Sequence, residues 1–132
     1  MADIRITKQM MMDHPSMSAM LGLQLYLVRS VATNGLAQVL EQSEAHLAHQ
    51  MELERQGIMF AAGPVFDTDD ASWDGEGLFI IRAGSLAEAE AIAASDPMHK
   101  SGARAFSVRA WLVNEGSLNI RLSFSRGAAH IY

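Results

Sequence analysis

The sequence predicts an α+β fold: a β-sheet with two helices on one face. Three observations carry that prediction. Apolar, strand-like runs begin near residues 23, 58, 78, 105 and 118. Two other stretches, 36–56 and 85–95, repeat their apolar residues at a helical period. The order of the first six elements, strand, helix, strand, strand, helix, strand, is that of a split β-α-β unit, the ferredoxin-like pattern, here followed by an extra C-terminal strand.

The first twenty residues hold six of the nine methionines, including Met10-Met11-Met12. Asp13, His14 and Pro15 interrupt them, so the stretch lacks the continuous apolar segment of a signal peptide. Residues 1–22 are expected to form an N-terminal arm, either a loosely held end or a segment whose adaptable thioethers pack on a partner subunit. Residues 23–132 are expected to form one domain. Within it, Leu23 to Arg29 alternates at the strand period, and Asn34-Gly35 breaks the run. From Leu36 to Gln56, Leu36, Val39, Leu40, Leu47, Met51 and Leu53 fall on one helical arc, expected to face inward. Gly57 stands where a helix-ending glycine belongs. Ile58 to Phe66 is the next strand, and Gly63-Pro64 inside it calls for a bulge or a sheet edge.

Asp67 to Gly77 is acidic and turn-rich, a surface hairpin loop in which Trp73 serves as a lid or as a hairpin cover. Its aspartates do not follow a calcium-loop spacing. Leu78 to Ile81 is a short apolar strand. Ser85-Leu86-Ala87-Glu88 is a capping box that opens a helix with Leu86, Ala89, Ile92 and Ala93 inward. That helix must stop before Pro97, because a residue preceding proline disfavours the α conformation. Ala105 to Val113 and Leu118 to Phe124 complete the strands.

Composition excludes several classes of function. The chain has 132 residues, 49% of them hydrophobic and 19% charged, which suits one globular domain with a real core. A net charge of −5 without a basic stripe gives nucleic acid no electrostatic footing. Cysteine is absent, so disulfides and thiolate metal sites are excluded, and a cytoplasmic location is expected. No apolar run reaches 18 residues, so no membrane span is expected. There is no nucleotide-binding glycine motif and no G-x-S-x-G, and no cofactor is expected.

The series His46-Leu47, Leu53, Gly57, Ala62-Gly63-Pro64, Gly77, Ser85, Ala89-Glu90, Asp96-Pro97, Gly102, Val108 and Trp111 resembles the YciI-like (YCII-related) family over about residues 23–113. The resemblance implies a dimeric α+β barrel of ferredoxin-like subunits, with a pocket in each. It also implies a catalytic histidine–aspartate pair, which by position is His46 and Asp96. Related dimeric barrels include muconolactone isomerases, chloromuconolactone dehalogenases and monooxygenases of aromatic polyketides.

On their own pattern these residues keep alternative readings. His46 lies at the margin of the helix's apolar arc, either as a half-buried histidine bonded to a backbone carbonyl or as a proton carrier suited to neutral pH. Asp96 is either a turn aspartate bonded to nearby backbone or the carboxylate that orients His46. His49, three residues from His46, suggests a metal only if a third ligand exists, and no metal site is expected. Gly63 and Pro64 bend the backbone beside the expected pocket. Ser30 closes the first strand where a sheet opens, and Lys100 is placed to attract an anion; with Gly63 and Pro64 they are the candidate substrate-binding residues. The expected function is cofactor-free acid–base catalysis on a small cyclic or carbonyl-bearing metabolite, by isomerisation, elimination (as in dehalogenation) or hydrolysis. The alternatives are a binding module without turnover and a structural dimer. The expected partners are a second copy, or a higher oligomer, and a small molecule.

Overall fold

A computed structural model describes residues 2–125 and 127–131. The chain divides into two compact units, residues 24–112, and residues 1–23 with 113–132.

The larger unit has the α+β architecture. Its strands are β1 (Leu23–Ala32, beginning one residue before it), β2 (Met59–Pro64), β3 (Gly77–Ile81) and β4 (Arg104–Val113, ending one residue beyond it). They form one sheet in the order β2-β3-β1-β4. β1 runs antiparallel to β3 with Val28 opposite Phe79, and β2 runs antiparallel to β3 with Ala62 opposite Phe79. The first and third strands thus pair at the centre, the order expected of a split β-α-β unit. β2 is at the edge, and its register shifts between Met59 and Ala61. The edge position explains how a strand can end in Gly63-Pro64, because an edge leaves backbone N–H groups without a ladder partner.

The helices of this unit are α3 (Leu36–Arg55), α4 (Leu86–Ala94) and the single turn α5 (Pro97–Lys100). Tyr26, Val28, Phe79 and Ile81 pack with Ala89 and Ala93 of α4, flanked by Phe106 and Val108. Each large apolar side chain buried here contributes about 1.5–3 kcal/mol. A second, smaller cluster joins Val39, Met98 and Ala103, with Ala32 and Trp73 against it.

Local chemistry fixes the helix ends. Ile58 N–H donates to the Leu53 carbonyl and Gly57 N–H to that of Glu54, with Gly57 at φ +75°. This double bond is a Schellman motif. At α4, Ser85 caps the Glu88 N–H, while Glu88 reaches back to the Gly84 N–H and not to that of Ser85. Leu86, expected inward, is exposed, whereas Ala89 and Ala93 are buried.

α3 departs from expectation more instructively. Leu40, Leu47 and Met51 are 61%, 59% and 66% exposed. The residues turned inward are Val39, Ser43, His46, Gln50 and Leu53, spaced four, three, four and three apart. The buried face therefore lies one residue, about 100°, from the arc that leucine and methionine mark.

The smaller unit holds α1 (Lys8–Asp13) and α2 (Pro15–Ser18), capped by Thr7 and His14 respectively. None of the residues in these two helices is buried. The extra strand β5 (Ile120–Ser123) is present and pairs antiparallel with a sixth strand, β6 (Ala128–Ile131), in a separate two-stranded sheet.

Candidate active site

The inward face of α3 presents Ser43, His46 and Gln50 on successive turns, because residues three and four apart stack on a helix. Opposite them the chain leaves α4, and Pro97 forces a restart. Asp96 is the N-cap of α5, and its Oδ1 accepts the Met98 N–H at 2.9 Å. This local bond aims the carboxylate at α3. His46 Nδ1 lies 2.9 Å from both Asp96 oxygens, and Gln50 Nε2 donates to Oδ2 at 3.0 Å.

Asp96 is 1% exposed. Burial pushes its pKa up, but the bond from His46, the Met98 N–H, the His46 charge and the Gln50 amide more than reverse this, so the carboxyl is held below its ordinary value. An ionised carboxylate can only accept, so His46 donates through Nδ1–H. In the neutral form of such a ring, Nε2 is the nitrogen that carries the free lone pair.

His46 borders a cavity of about 390 Å³. Its walls are largely apolar: Leu47, Ala62, Pro64, Leu78, Phe79 and Met98. Trp73 and Arg104 also line it. Trp73 is held by its indole N–H, which donates to the Glu76 carbonyl at 2.7 Å. Its ring lies 5.9 Å from the Arg104 guanidinium carbon. Arg104 is buried, and its pKa is lowered by that burial, partly offset by the Asp96 charge.

Of the residues expected from sequence, His46 and Asp96 are in direct contact, and Gly63 and Pro64 line the cavity beside His46. Ser30 and Lys100 are not among the lining residues. Lys100 is exposed at the end of α5. Ser30 is fully buried, with its hydroxyl 2.6 Å from His99 Nε2. His99 Nδ1 lies 2.6 Å from the Ala93 carbonyl and therefore donates, which leaves Nε2 to accept from Ser30. Burial holds the His99 pKa below its ordinary value, in keeping with a neutral ring beside Phe79 and Phe106. His49 meets the Ser95 hydroxyl at 3.1 Å. Among the described residues no three His, Asp or Glu side chains are grouped to hold a metal.

Gln50 and Arg104 belong to the site but were not legible as such. Gln50 has a signal in retrospect, since it follows His46 by four residues on one helix face. Arg104 has no such signal, since it shares its strand with Arg109 and follows Lys100 by four residues.

A sequence profile of the YCII-related domain matches residues 25–112. The chain belongs to the YCII-related domain family. Among solved structures, this family member is similar to 5-chloro-2-hydroxyhydroquinone dehydrochlorinase (TftG) from Burkholderia phenoliruptrix AC1100, in complex with 2,5-dihydroxybenzoquinone. The TM-score is 0.54 and the identity 28%, over 66% of this chain and 92% of that one. No curated protein sequence matches it significantly. No helix among its described residues is long and apolar enough to cross a membrane.

Proposed function

We propose that this YCII-related protein is a cofactor-free acid–base enzyme that eliminates a leaving group, such as halide, from a small hydroxylated ring. The observation that carries the proposal is the buried Asp96 held against His46 Nδ1 at the wall of a largely apolar cavity. The likeness to a dehydrochlorinase favours elimination over isomerisation or hydrolysis.

The roles follow from the geometry. Asp96 fixes the imidazole tautomer and stabilises the imidazolium that forms on proton uptake. His46 Nε2 takes a hydroxyl proton from the ring and returns it to the carbon that bears the leaving group, so that one hydroxyl becomes a carbonyl. His46 Nε2, free again, takes a second hydroxyl proton, the O–H electron pair moves through the ring, and the carbon–halogen pair departs as halide. The net change is loss of HX, with no external oxidant or reductant. Gln50 keeps Asp96 in register, and the apolar walls exclude water from the ring. We also propose that the protein acts as a homodimer in the cytoplasm. Trp111, 42% exposed, supports this, because strand alternation puts it on the face opposite Phe106 and Val108.

The test is chloride release and quinone absorbance with chlorinated trihydroxybenzenes. His46→Gln is expected to lower kcat/KM at least ~100-fold with an unchanged far-UV circular dichroism spectrum. Absence of chloride release from the native protein, or full activity in the variant, would overturn the proposal. Retention of the ring compound without turnover would favour a binding module instead.

A further inference from the structure

Arg104 is a buried cation without a direct counter-charge. It is 6% exposed, and its Nε–H has no hydrogen-bond partner. The ion pairs among the described residues are Arg29–Glu76, His46–Asp96 and Arg55–Glu52, and none includes it. Asp96 attracts Arg104 at a distance, but its two oxygens are already occupied by His46, Gln50 and the Met98 N–H. Burial of Nε is costly to the folded state, because no protein acceptor replaces the water that the atom gives up.

The surroundings keep the group in place. Trp73 lies near it as a cation–π neighbour. Gly77 leaves it room, because a Cβ at that position would stand 2.9 Å from Nη1. Arg104 and His46 both border the same cavity.

We propose that Arg104 is the anion-binding residue of this cavity, and that the molecule bound there carries a negatively charged oxygen on a small planar ring. A guanidinium suits this task, since its planar fork of N–H donors binds an anionic oxygen through charge-assisted hydrogen bonds. The Nη N–H groups would carry that contact, since Nε itself is closed to solvent and Nη1 stands beside Gly77, another residue of the cavity wall. In the elimination proposed above, the same contact would hold the ring as its enolate charge develops. The inference rests on that reading for the identity of the site. Its test uses binding alone, so it can fail while His46-dependent turnover survives, and the reverse.

The probe is 2,5-dihydroxybenzoquinone at neutral pH, where its acidic hydroxyls are ionised, compared with its uncharged dimethyl ether by titration calorimetry. The native protein is expected to bind the ionised quinone at least tenfold more tightly than the ether. Arg104→Gln should abolish that preference, and His46→Gln should keep it. In the native protein the Arg104 Nε–H resonance should shift on saturation with the ionised quinone, a readout that stands even if Arg104→Gln does not fold. Equal affinity for the two compounds, binding of neither, a preference that survives Arg104→Gln, or an unmoved Nε–H resonance would each overturn the inference.

Discussion

At the scale of single residues, Asp96 links folding to chemistry. Its carboxylate caps α5, accepts from His46 and Gln50, and is nearly inaccessible to water. Asp96→Asn removes the charge and is expected to destabilise the protein by about 1–3 kcal/mol, measured as a lower urea midpoint. The sign of the pH dependence follows from the depressed pKa in the folded state. The Asp96 contribution is fully present above the unfolded carboxyl pKa of about 3.9 and is lost as pH falls through the lower folded value. The native protein should therefore show an acid-induced loss of stability that Asp96→Asn lacks. His99 acts higher on the scale. Its folded pKa is depressed by burial, so its contribution is complete above the unfolded value of about 6.5 and declines as pH falls below that value. Urea midpoints at about pH 7.5 and 5.5 should differ more for the native protein than for His99→Gln.

At the scale of elements, the ends of α3 and α4 follow local rules. Gly57 at φ +75° closes the Schellman motif. Gly57→Ala is expected to cost about 1–2 kcal/mol, because an L side chain is strained in that conformation, and chemical denaturation would measure it. Proline likewise dictated the edge position of β2 and the break before α5. The inward face of α3 was not legible in this way. Of the arc that periodicity selected, Val39 and Leu53 are buried, but Leu40, Leu47 and Met51 are exposed, and the packed face carries His46 and Gln50 in their place. A polar stripe is buried here because Asp96, fifty residues beyond His46, supplies the partner. A helical period counts apolar side chains and contains no term for a distant carboxylate. The same blindness hid Arg104 and gave Ser30 and Lys100 the look of pocket residues.

At the scale of the whole molecule, the element order and the central pairing of the first and third strands give the α+β architecture that the sequence predicts. The proposed homodimer belongs to this scale. Light scattering after size exclusion should give twice the 14.4 kDa chain mass. Trp111→Glu should shift the protein towards that single mass, since it places a charge in the proposed interface. A native protein that elutes at 14.4 kDa across micromolar concentrations would show that Trp111 is not covered by a second copy.

The sequence by itself determined the order of the main strands and helices, the helix stops at Gly57 and Pro97, the Ser85 cap on Glu88, and the absence of cysteine chemistry. These depend on backbone conformation and composition, which neighbours a few residues away decide. Only the tertiary structure decided that Asp96 meets His46 and Gln50, that Ser30 is given to His99, and that Arg104 stands at the cavity with no ion pair among the described residues. Those outcomes depend on how separate elements dock. A buried charge or imidazole takes its partner from whichever chain segment folding brings within about 3 Å, and no local pattern encodes that segment.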